Sequence, residues 1–176
     1  MIPRTMAEAQ IPHRVDAGKF VDKNQQFNGE IDSSELTRLN EAVERCLTSV
    51  SCTLSFDRDE ERHRLLVGSC STRVAMLCQR CLNAVELDVS SQFELGLVFN
   101  DEQARQLPRR LEPVELDQNG LMDLWSVIED EILLSLPAFP MHPENECHLQ
   151  QPEPEESYSN VQQPNPFDVL AQLKQK

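Results

Sequence analysis

Three stretches of the chain alternate between apolar and polar positions, the pattern of strands with one buried and one solvated face. The clearest is 49–56, where serine and threonine separate four apolar residues: Val50, Cys52, Leu54 and Phe56. The same period of two continues through residues 65–77 and again through residues 85–99. A charged stretch at 57–63 and a turn at 78–81 separate the strands, so the pattern predicts an antiparallel meander.

Two helices are predicted from apolar positions spaced three and four residues apart. The first begins at Asp32, because an aspartate three residues before Glu35 is typical of a reciprocal capping box. Its buried face carries Leu36, Leu39 and Val43. The second covers residues 121–136, and its apolar arc consists of Leu121, Leu124, Trp125, Ile128 and Ile132.

These elements predict an α+β fold. We expect an antiparallel β-meander of about three long strands with short extra strands, packed by two helices. Residues 9–30 carry scattered apolar positions, which favour an extended entry followed by a helical turn or two. Residues 113–116 are a brief extended piece, and Asn119-Gly120 is a strong turn pair.

The composition changes after Cys147. Residues 149–164 are rich in Gln, Glu, Pro and Ser and carry almost no apolar residues, so they cannot bury enough surface to become ordered. We therefore predict a single α+β domain over 1–147, a flexible acidic linker over 148–163 and a short helical motif over 164–176.

The terminal motif has the features of a short helix with one apolar face. Asn165 suits the capping position and Pro166 the first helical position. Apolar residues then recur at intervals of three, at Phe167, Leu170 and Leu173. Such a helix, at the end of an acidic linker, either binds a partner protein or packs on the domain itself. The sequence leaves both interpretations open.

The charge of the chain excludes one large class of function. A formal net charge of −14 argues against broad electrostatic binding to nucleic acid, because phosphate contacts need clustered lysine and arginine. The tightest basic group is Arg105, Arg109 and Arg110. Three arginines are too few for a nucleic-acid footprint, and they favour a solvated face.

The acidic residues suggest where a cationic partner binds. Residues 112–131 contain seven acidic side chains and no basic one. Within them, Glu129, Asp130 and Glu131 are candidate partner-binding residues, and a charged outer helix face is the plainer interpretation. A hydrolase built on these carboxylates is disfavoured, because no histidine or second acidic cluster at ligand spacing accompanies them.

Two cysteines separated by two residues, Cys78 and Cys81, can direct both sulfurs at one tetrahedral ion or close as a disulfide. A structural zinc needs four ligands, and the downstream candidates are His142, Cys147 and His148. We predict a zinc site of Cys78, Cys81, His142 and Cys147. It would hold the turn between two strands against the start of the C-terminal tail. Ordinary turn residues and a thiol redox pair are the alternatives. The redox pair is disfavoured, because redox Cys-x-x-Cys motifs usually open a helix.

The remaining cysteines, Cys46, Cys52 and Cys70, are predicted to be small apolar core residues. No stretch approaches about 20 consecutive apolar residues, so no membrane span is expected. The first ten residues lack an apolar segment, so we expect no secretory signal. Six cysteines at irregular spacing then favour the reducing cytoplasm.

Three motifs together carry a family resemblance: Cys78-Gln79-Arg80-Cys81, the run VIEDEILLSLP at 127–137 and the closing PNPFDVLAQLK at 164–174. With these motifs the chain resembles the YceD family of bacterial large ribosomal RNA subunit accumulation proteins, over most of its length. The family has no established catalytic residues to transfer to this sequence. Cys78, Cys81 and Cys147 match family cysteines, whereas some relatives carry cysteine where this chain has His142.

The resemblance implies a non-enzymatic cytoplasmic factor for the synthesis, processing or stability of large-subunit (23S) ribosomal RNA. In many bacteria the family's gene neighbours that of a large-subunit ribosomal protein, which suits an acidic protein that meets a basic one. The expected partner is therefore a basic ribosomal protein or a ribosome-assembly factor, with the RNA contacted indirectly. No small-molecule substrate is expected.

Overall fold

The computed structural model describes residues 11–147 of the chain. A 3₁₀ turn at Ser33–Glu35 accompanies the regular elements. In chain order these are β1 (Arg14–Asp16), α1 (Ala17–Asp22), β2 (Gln26–Ile31), α2 (Thr37–Ala42), β3 (Arg45–Cys46), β4 (Val50–Arg58), β5 (Arg64–Leu77), β6 (Ala84–Val98), α3 (Asp101–Gln106), β7 (Glu112–Glu115), β8 (Leu121–Asp123) and α4 (Leu124–Leu134).

Six of the strands form the main sheet, in the order β2-β4-β5-β6-β7, with β3 added beside β5. The long strands β4, β5 and β6 pair antiparallel, whereas β7 runs parallel to β6. The short strands β1 and β8 form a separate antiparallel pair. The predicted α+β class and the antiparallel meander are therefore confirmed.

The core lies on one face of this sheet. All four apolar residues of the first alternating stretch are buried, and the residues between them are exposed or half-buried. Helix α1 packs on β4, and α4 packs on β5 and β6. The Phe56 ring lies 5.4 Å from that of Phe20 and 6.3 Å from that of Phe27, between ring centroids. The alternating pattern therefore directs Phe56 into the core, where its ring packs with two other aromatic rings.

The first predicted helix is shorter than expected. Leu36, Leu39 and Val43 are buried as predicted. The capping box is wrong, because the Asp32 side chain accepts a hydrogen bond from the Ser34 backbone N–H, and Glu35 N–H bonds the Asp32 carbonyl instead. Those bonds close a 3₁₀ turn, and α2 begins only after Leu36.

The second predicted helix begins later than expected. Residues 121–123 form β8, which pairs with β1. Asp123 then caps α4 by accepting a hydrogen bond from Ser126 N–H at 3.0 Å, and the helix ends at Leu134. The difference arises because β1, distant in sequence, supplies a pairing partner that the local periodicity does not reveal.

Several short elements were not predicted. The extended entry and helical turn expected within residues 9–30 correspond to β1 and α1, whereas strand β2 in the same stretch was not predicted. Helix α3, in the polar segment after the meander, was not predicted either, so residues 11–147 contain four helices. Cys46 belongs to the short strand β3. By contrast, the Asn119-Gly120 turn is confirmed, with Gly120 at φ +74°.

None of the helices in residues 11–147 has the length and apolar character that a membrane crossing requires. The predicted linker over 148–163 and the terminal motif over 164–176 lie outside the described residues.

Candidate metal centre

The structure brings the four predicted zinc ligands together. One ligand atom from each of Cys78, Cys81, His142 and Cys147 lies within 4.8 Å of every other. Cys78 Sγ is 3.9 Å from Cys147 Sγ, and Cys81 Sγ is 3.4 Å from His142 Nδ1. His148, the other candidate, lies outside the described residues.

The first half of the cluster is the hairpin turn between β5 and β6. Cys78 N–H donates to the Asn83 carbonyl at 2.9 Å, and Leu82 N–H donates to the Cys78 carbonyl at 2.9 Å. Leu82 takes a left-handed conformation at φ +59°, which is uncommon for a residue with a side chain. This tight turn places both sulfurs on one side of the hairpin, with Cys78 fully buried.

The second half comes from the segment that follows α4. Gln79 N–H donates to the Pro140 carbonyl at 2.8 Å, which ties this segment to the hairpin. The Arg80 guanidinium donates to the His142 carbonyl at 3.1 Å and to Cys147 Sγ at 3.0 Å. Arg80 therefore contacts both downstream members of the cluster.

The histidine ring is oriented by a backbone group. His142 Nε2 lies 3.0 Å from the Ala84 carbonyl, an acceptor, so Nε2 carries the hydrogen. In the neutral ring the lone pair of Nδ1 then faces the cysteines. Metal-binding histidines are held in the same way, with one nitrogen on a carbonyl and the other on the ion.

The cluster also changes the proton affinity of its members. Burial acts to raise the pKa of Cys78, but hydrogen bonds from the backbone N–H groups of Cys81, His142 and Arg80 outweigh it and lower that pKa to about 5. The hydrogen bond with Cys78 raises the pKa of His142. Burial, followed by the hydrogen bond with Cys81, raises the pKa of Cys147. One thiolate is therefore already favoured, and a cation among the sulfurs would favour the others.

The thiol redox hypothesis stays a prediction. Cys78 and Cys81 are free thiols, and they lie in a turn between antiparallel strands rather than at the start of a helix. The helix dipole that usually activates such a pair is therefore not part of this turn.

Comparison with known proteins identifies the family. A family model described as large ribosomal RNA subunit accumulation protein YceD matches residues 66–174. A Haemophilus influenzae protein of the same description is 34% identical over 177 residues, which cover 97% of this chain and 100% of that protein. This chain belongs to the YceD family. No solved structure matches it.

In this YceD-family chain, the family match includes the whole cysteine–histidine cluster, since 78–147 lies within 66–174. Of the other cysteines, Cys52 and Cys70 are buried and face each other across β4 and β5, which confirms the core prediction for both. Cys46 is half-buried and packs against the core.

The acidic run of this YceD-family chain is not the plain outer face that the sequence suggests. Glu129 is 6% exposed, and its carboxylate accepts hydrogen bonds from Arg38 Nε at 2.8 Å and from Leu39 N–H at 2.9 Å. Asp130 is exposed and pairs with the same arginine. Sequence reasoning missed Arg38, because nothing near it in the chain indicates that α2 packs against α4.

Glu131, the third acid of the run, is half-buried and accepts a hydrogen bond from Ser91 Oγ at 3.2 Å. Burial raises the pKa of Glu131, and the charges of Glu112 and Asp130 raise it further. A carboxyl with a raised pKa in the folded state binds its proton more tightly than in the unfolded chain, so ionisation costs stability at neutral pH.

Glu131→Gln is therefore expected to raise the midpoint of thermal unfolding at pH 7. The advantage should disappear as the pH falls below about 4, where the unfolded chain also carries the proton. Circular dichroism melts at pH 7 and pH 3.5 measure the difference. Glu115→Gln, an exposed change on the adjacent β7, is the control. An equal gain at both pH values would contradict the prediction.

Proposed function

We propose that this YceD-family chain is a non-enzymatic, cytoplasmic accessory factor that supports the synthesis, processing or stability of large-subunit (23S) ribosomal RNA. The family match carries the proposal, because the Haemophilus influenzae relative aligns over its whole length and is named for the accumulation of that RNA. The factor acts by binding, without making or breaking a bond.

The partner is a basic ribosomal protein or a ribosome-assembly factor, and the RNA is contacted indirectly. The support is electrostatic, because a chain of net charge −14 repels phosphate and attracts cationic surfaces.

Two surfaces of the chain bind this partner. The first is the acidic surface of Glu112, Asp130 and Glu131. Burial raises the pKa of Glu131, the charges of the other two acids raise it further, and an incoming cation would relieve their repulsion. Glu129 supports this surface from beneath by holding Arg38. The second is the terminal motif, in which Asn165 and Pro166 are predicted to start a helix whose apolar positions bind the partner; these positions are Phe167, Leu170 and Leu173.

The cellular test is a gene deletion followed by measurement of the ratio of 23S to 16S ribosomal RNA. The deletion is expected to lower the ratio, and the full chain is expected to restore it. An unchanged ratio in the deletion strain would overturn the proposed role.

The partner test is affinity capture with the full chain and with residues 1–163, followed by mass spectrometry. The full chain is expected to retain basic large-subunit proteins or assembly factors, and this retention should survive ribonuclease but weaken at high salt. Truncation, or alanine at Phe167, Leu170 and Leu173 together, is expected to reduce it severalfold. Asn160→Ala in the linker is the matched control. Loss of all captured protein after ribonuclease would show instead that RNA is bound directly.

A further inference from the structure

We propose that Cys78, Cys81, His142 and Cys147 hold a structural Zn²⁺ ion that staples the segment after α4 to the β5–β6 hairpin. The spacing of the ligand atoms suits that ion. With Zn–S bonds of about 2.3 Å and a Zn–N bond of about 2.0 Å, a tetrahedron has an S–S edge of about 3.8 Å and an S–N edge of about 3.5 Å. The corresponding distances here are 3.9 Å and 3.4 Å.

The donor set selects the metal. Three thiols and one imidazole suit zinc, whereas calcium and magnesium take oxygen ligands. Four protein ligands also fill a tetrahedral ion completely, so no position remains for water or substrate. The site is therefore structural, which agrees with a protein that acts by binding.

The surroundings complete the site. The Ala84 carbonyl fixes the His142 ring with Nδ1 toward the cysteines. Zinc with three thiolates and a neutral imidazole carries a net charge of about −1, and Arg80 supplies the compensating positive charge from 3.0 Å away from Cys147 Sγ. Arg80 is thus a positioning residue that also binds the carbonyl of the histidine ligand.

The segment needs such an anchor because hydrophobic burial does not provide one. In residues 137–147, Pro140 alone is buried. Phe139 and Met141 are 74% and 50% exposed, so the largest apolar side chains of the segment contribute little to holding it. Cys81 and His142 are 61 residues apart in the sequence, and Cys78 and Cys147 are 69 residues apart. Only a small number of hydrogen bonds joins the two segments that carry these ligands. Metal binding supplies the missing free energy, as in other small domains whose folding is coupled to zinc.

The first test is metal analysis of the full chain, purified under reducing conditions without chelator. About one zinc per chain is expected. After zinc is replaced by Co²⁺, the visible absorption should show the bands of tetrahedral thiolate coordination. Protein that contains no zinc and gives no such bands on Co²⁺ titration would overturn the proposal. A disulfide between Cys78 and Cys81 in that protein, once the reductant is removed, would favour the redox hypothesis.

Matched variants separate ligation from folding. Cys81→Ser and His142→Ala are expected to lower zinc affinity at least tenfold, whereas Cys46→Ser, outside the cluster and half-buried, should keep about one zinc. His142→Cys should also keep the metal and strengthen the thiolate-to-cobalt absorption, since a fourth sulfur replaces the imidazole. Equal zinc loss in Cys46→Ser and Cys81→Ser would contradict the assignment. These readouts measure bound metal alone, so they are independent of the role in ribosomal RNA.

Discussion

Glu129→Ala is expected to lower the free energy of unfolding by about 2–4 kcal/mol. The change leaves the buried Leu39 N–H without an acceptor and removes the carboxylate that pairs with Arg38 Nε. Arg38 is itself 45% exposed and keeps a contact with the Ser126 carbonyl, which limits the loss. Urea unfolding, monitored by circular dichroism, measures the difference.

Two controls separate this buried contact from surface charge. Glu129→Gln keeps an oxygen for Leu39 N–H and should lose about half as much stability. Asp130→Asn removes a charge that is 53% exposed on the same arginine, so its cost should stay below about 1 kcal/mol. A larger loss for Asp130→Asn than for Glu129→Ala would contradict the proposed difference between the two acids.

Phe56→Ala is expected to cost about 3–5 kcal/mol of unfolding free energy. Phe56 is fully buried, and its ring contacts Phe20 and Phe27 edge to face. Truncation removes those contacts and leaves a cavity between the sheet and α1, whose rigid surroundings cannot fully collapse. A lower urea midpoint with an unchanged slope would identify the change as a loss of stability in the folded state.

Phe139→Ala is the matched control for Phe56→Ala. The same side chain is removed, but Phe139 is 74% exposed, so the expected change is within about 0.5 kcal/mol. Similar losses in the two variants would show that burial does not determine the cost of removing the ring.

The candidate metal centre could be predicted residue by residue because thiols and imidazoles at short spacing are uncommon and chemically distinctive. The groups that orient the ligands could not. The carbonyls of Ala84 and Pro140 belong to every chain and have no sequence signature, and Arg80 becomes a partner of Cys147 only when the hairpin meets the segment after α4.

The environment of the acidic run at residues 129–131, by contrast, could not be predicted from the sequence. The sequence favoured a charged outer helix face for Glu129, where a carboxylate ordinarily meets water. In the structure α2 covers that face and supplies Arg38 and Leu39 N–H as partners. A helix wheel describes one helix and carries no information about the second helix that packs on it.

The sequence by itself determined the three long strands, the burial of their alternating side chains and the four residues of the cysteine–histidine cluster. Each of these depends on local periodicity or on residue chemistry, which the chain displays directly. The tertiary structure alone decided that residues 121–123 pair with β1, that Glu129 is buried against Arg38 and that the cluster closes across 69 residues. These features depend on contacts between segments far apart in the chain, and such contacts exist only once the chain has folded.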